Sequence, residues 1–296
     1  MHDHSHCDHH KPASYNTAFA VGVSLNAAFV VLEVGYGITT RSLSLLADAG
    51  HNVGDVLGLL MGWAAAYLAT RPPTTRRTYG YRRSSILAAL ANSSLLLVAV
   101  GAIAWEAIQR LSDPVPVQGG VVMAVAGIGI IVNGGTALMF VRGRKDDLNI
   151  EGAYLHMLTD AIVAGGVVVA GFAIRRTHAA WIDPVSSLII LSLITIGSWK
   201  LLRRSFDLAI DAVPDAVDPA AVRAYLESRP GVEGVADLHI WGMSTTETAL
   251  TAHLVMPKGS EEDFVSNLAH ELIHEFGINH STIQIDRSHG GCALSV

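Results

Sequence analysis

The chain has 296 residues, half of them hydrophobic and only 16% charged, against ~25% charged in an average soluble domain. With a mean hydropathy of +0.39, this composition excludes a disordered chain and speaks against an ordinary soluble enzyme. A net charge of −6 argues against a general nucleic-acid binder, and two cysteines at opposite ends, Cys7 and Cys292, offer no disulfide framework that would imply secretion.

The chain opens on a tract of five histidines, His2, His4, His6, His9 and His10, interleaved with Asp and with Cys7. A cloning tag would be contiguous. Residues 1–16 read instead as a flexible cytoplasmic metal collector, with a dispensable tail as the alternative. Because this segment is not basic and further apolar stretches follow, the first span is no cleavable signal peptide.

A transmembrane helix needs ~20 consecutive apolar residues with few charges. Six stretches qualify: Thr17 to Ile38, Leu43 to Ala69, Ser84 to Ile108, Gly120 to Val141, Glu151 to Ile174 and Pro184 to Leu202. They place a six-helix transmembrane domain over residues 17–206. The loops on one side carry Arg71, Arg76, Arg77, Arg82, Arg83, Arg142, Arg144, Lys145, Lys200, Arg203 and Arg204; those on the other carry Arg41, Arg110, Arg175 and Arg176. Positive charge marks the cytoplasmic side, so both termini are expected there. The two unpaired cysteines fit that placement.

From Asp207 onward the chain turns acidic, with 14 acidic and 4 basic residues. A segment of ~90 residues can build its own small core. Residues 207–296 read as a cytoplasmic α/β domain of order α-β-β-α-β. Asp218 caps a helix with Pro219 at its first position, running to about Arg229. Strands are expected at Val232 to Met243 and Glu247 to Pro257. A second helix, Ser260 to Phe276, would be capped by Ser260 with Asp263 in the capping-box position. Alternation of Ile283 and Ile285 with Gln284 and Asp286 predicts a third strand over Ser281 to Arg287.

The chemistry concentrates in a weak internal repeat. The second span holds His51-Asn-Val-Gly-Asp55 and the fifth holds His156-Met-Leu-Thr-Asp160. Spacing i, i+4 puts each pair on one helical face. Two such helices facing each other offer two imidazoles and two carboxylates, a tetrahedral set for a borderline cation such as zinc. The plainer alternative is polar glue between helices. Ionisable groups at membrane depth are costly, and two identical pairs favour function. Asp48 shares the face of His51 and Asp55, either as a partner behind the ligands or as a bystander near the interface. Asn26, Glu33, Asn92, Glu106 and Asn133 read as interhelical hydrogen-bonding residues, and Asp183 before Pro184 as a helix N-cap.

The stretch Ser44 to Asp55 with its His-x-x-x-Asp, the basic Tyr79-Gly-Tyr-Arg-Arg83 loop and the Leu238-His-Ile-Trp241 segment resemble the cation diffusion facilitator family of zinc transporters. The resemblance covers essentially the whole chain. It implies a homodimeric metal/proton antiporter of a bacterial inner membrane. Cytoplasmic Zn2+ would be exported as substrate, with Cd2+ and other divalent cations as further candidates. It carries the transport ligands onto His51, Asp55, His156 and Asp160, the zinc- and cadmium-type set. It also implies Zn2+ as a regulatory ligand of the cytoplasmic domain. There His253, His280 and Asp286 match best, His239 sits in the Leu-His-Ile-Trp segment, and His289 and Cys292 are further candidates. Gln284 stands where some members have another His. Eukaryotic relatives often have a His-rich loop between spans four and five; here Arg142 to Asn149 is short and has no His.

Three rival readings have specific tests. His270-Glu-Leu-Ile-His274 is the His-Glu-x-x-His pattern of metalloproteases, yet its polar residues fall opposite the expected buried stripe of Leu268, Leu272, Ile273 and Phe276. An intramembrane metalloenzyme would need an open coordination position and a general base. A metal sensor with a mere membrane anchor would need no Asp within its spans.

Overall fold

The computed structural model describes residues 16–141 and 148–287. The His-rich tract, Arg142, Arg144 and Lys145, and His289 with Cys292 lie outside the described residues. Six long helices come first: α1 (Asn16–Thr40), α2 (Leu43–Ala69), α3 (Ser84–Ser112), α4 (Gly119–Phe140), α5 (Leu148–Thr177) and α6 (Ile182–Ala209). Five of them, α2 to α6, are long and apolar enough to cross a membrane. Helix α1 has 25 residues, about 37 Å at 1.5 Å per residue, which also exceeds the ~30 Å hydrocarbon core. Helices α3, α5 and α6 overrun their apolar stretches by several residues, α6 most of all. Hydropathy ends at the first charges, but Arg203, Arg204 and Asp207 continue the same backbone hydrogen-bond ladder.

The partition of side chains is that of a membrane protein. Val31, Trp63, Ile131 and Leu138 are each more than 70% exposed, whereas Glu33, Asp48, Asn133, Asp160 and Asp183 are buried. In lipid, apolar side chains face outward at no cost, and polar ones seek the protein interior.

The chain divides into two compact units. One holds the chain to Val56 together with Leu96–Ile196; the other holds Leu57–Leu95 and the chain from Gly197. The first is a helical bundle whose apolar core draws Phe29 from α1, Leu45 from α2, Val100 from α3, Val122 and Val125 from α4, Val167 from α5, and Ile190 and Leu191 from α6. Helices α4 and α5 approach backbone to backbone. A Cβ on Gly119 would lie 2.5 Å from the Gly171 carbonyl, and one on Gly171 would lie 2.9 Å from the Gly119 carbonyl.

Asp183 corrects the expectation that it caps its own helix. Fully buried, its carboxylate accepts from Leu43 N at 2.6 Å, from Ser44 N at 3.2 Å, and from the Ser42 and Ser44 hydroxyls at 2.7 Å each. It therefore caps α2 from across the bundle. The reason is geometric. Arg41 takes a left-handed turn (φ 57°) between α1 and α2, and this leaves the first N–H groups of α2 buried and without helical partners.

The second unit contains α7 (Pro219–Glu227), β1 (Gly234–Gly242), β2 (Thr248–Val255), α8 (Phe264–Phe276) and β3 (Ile278–Asp286), in the expected order. The sheet order is β1-β2-β3, with β1 antiparallel and β3 parallel to β2. Asp218 caps α7 by accepting from Ala220 N at 2.9 Å. Val222, Leu226, Leu268 and Leu272 from the two helices close on Ile240, Leu250, Ala252 and Leu254 of the sheet.

Three local expectations need correction here. Helix α8 starts at Phe264, not Ser260, because Glu261 O and Phe264 N close a separate turn first. Three successive carboxylates then precede the positive end of the helix. Strand β3 starts at Ile278, because Gly277 ends α8 in the left-handed conformation (φ 66°) and turns the chain at once. Ile273 is 41% exposed, one residue round the helix from the Leu268–Leu272 stripe.

Gly119→Ala forces the α4–α5 backbones apart. It is expected to cost about 1–3 kcal/mol, read as a lower thermal unfolding midpoint in detergent. Gly127→Ala, where a Cβ meets nothing within 4 Å, is the control expected to leave the midpoint unchanged.

Candidate metal site

Both His-x-x-x-Asp pairs lie in the first unit, on α2 and α5, and their side chains converge. His51 Nε2 is 3.7 Å from Asp55 Oδ2 and 3.4 Å from Asp160 Oδ1. His156 Nε2 is 3.3 Å from Asp55 Oδ2 and 3.7 Å from Asp160 Oδ2. Donor atoms of His51, Asp55 and Asp160 all lie within 4.8 Å of one another. The two imidazole rings stand edge to face, with centroids 6.1 Å apart. Each carboxylate thus lies between two imidazoles, one from its own helix and one from the other.

These spacings can be compared with those of a cation site. With ligand bonds near 2.05 Å, the edge of a tetrahedral zinc site is about 3.4 Å. The four imidazole–carboxylate distances of 3.3–3.7 Å lie near that edge, while the two imidazoles stand farther apart, and His51, Asp55 and Asp160 form the tightest group. Glue would satisfy the polar atoms through aligned hydrogen bonds. Instead Asp55 Oδ2 and both Asp160 oxygens are buried without one. Asp160 is sealed at 1% exposure, while the His156 side chain is 41% exposed, so the site is open on one flank.

A buried polar group adjoins this site. Asn52 Nδ2 donates to Glu33 Oε2 at 3.1 Å, joining α2 to α1, and the Asp48 carboxyl lies beside Glu33. Asn52 was legible as the residue i+4 from Asp48, but nothing local distinguishes it from any helical Asn. Among the other polar residues, Asn26 Nδ2 reaches the sulfur of Met157 on α5 at 3.6 Å, while Glu106 pairs within its own helix with Arg110 at 2.9 Å.

In the α/β part, β1 to β3 turn one face to the two helices and present a polar face opposite. On that face His253 pairs with Asp286 at 3.1 Å, and His239 pairs with Asp237 at 2.9 Å. A hydrogen bond from Gln284 at 2.8 Å, and then His253, hold the Asp286 carboxyl below its ordinary range, against a desolvation effect in the other direction. His280 is a correction: it lies inside β3 rather than before it. It pairs with Ala249, whereas His253 pairs with Gln284. Four strand positions, about 13 Å, separate it from the His253–Asp286 pair, and its ring stacks edge-on with Tyr79 instead. Among the described residues, no three His, Cys, Asp or Glu side chains of this part gather at metal-ligand spacing.

The His270–His274 helix holds no hydrolytic arrangement. Glu271, which would be the base, accepts from the Tyr225 hydroxyl at 2.9 Å and from Arg229 at 3.3 Å. His270 and His274 face outward.

Comparison with known proteins agrees with this geometry. Residues 19–208 match the cation efflux transmembrane domain, and residues 214–288 match the cytoplasmic domain of cation efflux proteins. The metal cation efflux system protein CzcD of Cupriavidus metallidurans is 34% identical over 96% of this chain and 89% of its own length. The zinc transporter ZitB of Escherichia coli is 34% identical over 96% of this chain and 92% of its own. A cadmium, cobalt and zinc/H(+)-K(+) antiporter of Bacillus subtilis is 30% identical over 94% of this chain and 91% of its own. The chain, a multi-pass membrane protein with a six-helix transmembrane part and a small α/β domain, thus belongs to the cation efflux family of transporters and is not an enzyme.

Proposed function

We propose that this chain exports Zn2+ from the cytoplasm in exchange for protons, using His51, Asp55, His156 and Asp160 as the transport site. The observation that carries the reading is the convergence of two imidazoles and two carboxylates from α2 and α5, with all four imidazole–carboxylate distances near the edge length of a tetrahedral zinc site. Two Asp charges neutralise a dication where hydration is lost. Two nitrogen ligands favour zinc or cadmium over harder ions. Four protein donors leave no open position for a substrate water, which favours carriage over hydrolysis. The named relatives include a zinc transporter and a zinc/H(+)-K(+) antiporter.

Proton exchange follows from the same ligands. They bind metal only when deprotonated, so loading releases protons and the empty site regains them. The energetics favour a return load. Moving a dication out against an inside-negative potential costs about 4.6 kcal/mol per 100 mV, and one proton carried back on the empty site halves the electrical part.

We further read residues 1–16 as a cytoplasmic tail, 17–206 as the transmembrane domain and 207–296 as a cytoplasmic regulatory domain of a homodimer. The excess of Lys and Arg in one set of loops supports cytoplasmic termini in a bacterial inner membrane. The match to the cation efflux cytoplasmic domain supports dimerisation. The His253–Asp286 and His239–Asp237 pairs on the open sheet face support Zn2+ binding there, with further donors to come from outside one protomer's described residues.

Asp55→Ala and Asp160→Ala are each expected to reduce zinc flux into proteoliposomes to background while the protein still inserts. The loss should exceed the ~10–100-fold that removing a mere outer-shell partner costs. Wild-type flux in either variant would sink the four-ligand site. His253→Ala combined with Asp286→Ala is expected to weaken zinc binding to the α/β domain and to slow flux by no more than about tenfold, the lower end of that range, without abolishing it. For coupling, zinc efflux should speed up when the exterior is acidic and slow when the proton gradient is collapsed. The measurement is stopped-flow flux with a pH dye trapped in the vesicles. Zinc movement with no proton counter-movement would mean uniport.

A further inference from the structure

Two buried carboxylates take no part in the four-residue site. Glu33 on α1 is 0% exposed and Asp48 on α2 is 1% exposed, and Asn52, which hydrogen-bonds Glu33, stands one turn from Asp48 on the same helix face, so the two carboxyls are electrostatic neighbours. The Asn52 amide donates to Glu33 Oε2, but Glu33 Oε1 and Asp48 Oδ1 have no donor among the described residues. The imidazole of His51 is the one group here that favours a negative charge on the pair, and it is already shared with Asp55 and Asp160. His51 on α2 and Asp160 on α5 act on it electrostatically. Helix α4, packed on α1, has no ionisable side chain, and Asp183 on α6 is committed to the start of α2. No Lys or Arg pairs with either carboxyl among the described residues, and no hydrogen bond joins them to the four site residues. Two neighbouring anions, both stripped of water and with one imidazole between them and two further carboxylates, are strongly disfavoured. One proton shared between them removes the repulsion and supplies the missing donor.

We propose that the Glu33–Asp48 pair is a second proton-carrying group of the transporter, which releases its proton when a divalent cation occupies the neighbouring site and regains one when the cation leaves. The inference rests on the reading of His51, Asp55, His156 and Asp160 as the cation site. The step is heterolytic: the carboxyl O–H bond breaks, its electron pair stays on the oxygen, and the proton passes to water. The coupling is electrostatic. An unneutralised Asp160 opposes a second negative charge nearby, and a bound dication reverses the sign of that field. Asn52 then holds the ionised Glu33 through its amide.

The test counts protons released per Zn2+ bound by the full-length protein in weakly buffered detergent, with a pH dye. Glu33→Gln leaves Asp48 beside an amide donor with no proton to share. Release should fall by about one proton per Zn2+ while zinc still binds. Infrared difference spectra should show a protonated-carboxyl band lost on zinc addition to wild type and diminished in Glu33→Gln, a signature that a merely structural role would not move. Asp48→Asn carries the same test should Glu33→Gln not fold. An unchanged proton count and an unchanged carboxyl band in a zinc-binding variant overturn the inference. Zinc binding by Asp55→Ala as tight as wild type would instead overturn the reading of the site on which it rests.

Discussion

Glu33, Asp48, Asp55 and Asp160 stand in membrane-crossing helices, and among the described residues none of them is paired with a lysine or arginine. Carboxylates at this depth are costly unless something positive comes to them. A fixed Arg would stabilise them permanently and would abolish any response to a cation. Imidazoles do otherwise, since they are neutral ligands to a metal and positive partners when protonated. On the proposed reading, the pairing of Asp55 and Asp160 with His51 and His156 leaves a site whose charge is completed by a dication or by protons. Competition between those two is the physical content of exchange transport.

That balance requires the two helices to be held in register. Asp183 does part of this from α6, where its carboxylate gathers two backbone N–H groups and two hydroxyls at the start of α2. His51 lies a little over two turns further along the same helix. On the other side, α4 and α5 meet through Gly119 and Gly171 with no room for a Cβ. Close backbone packing of this kind substitutes in lipid for the hydrophobic effect, which cannot drive helix association there. The Asn52–Glu33 hydrogen bond ties α1 to the site-bearing face of α2.

The α/β part follows different rules because water surrounds it. Its sheet is amphipathic, with Ile240, Leu250 and Leu254 turned to the helices and His239, His253 and Asp286 on the other face. A three-stranded sheet with one face covered is a sound scaffold for presenting charged groups to a partner or an ion. Gln284 already orients Asp286 toward His253.

Hydropathy and spacing determined much of this protein without coordinates. The six long helices, the α-β-β-α-β order, the Asp218 cap and the two His-x-x-x-Asp pairs all depend on periodicity and short-range chemistry, which a linear chain displays. Helix and strand ends were less legible, because Gly277 and the turn at Glu261–Phe264 act through backbone geometry that outweighs a capping motif. What the chain could not display was who meets whom. That α2 faces α5 at 3.3–3.7 Å, that Asp183 serves a helix 140 residues earlier, that His280 stands apart from His253, and that Glu33 shares its burial with Asp48 are decided by packing. The distance between two ionisable groups on different helices depends on every side chain between those helices, and no local pattern encodes it.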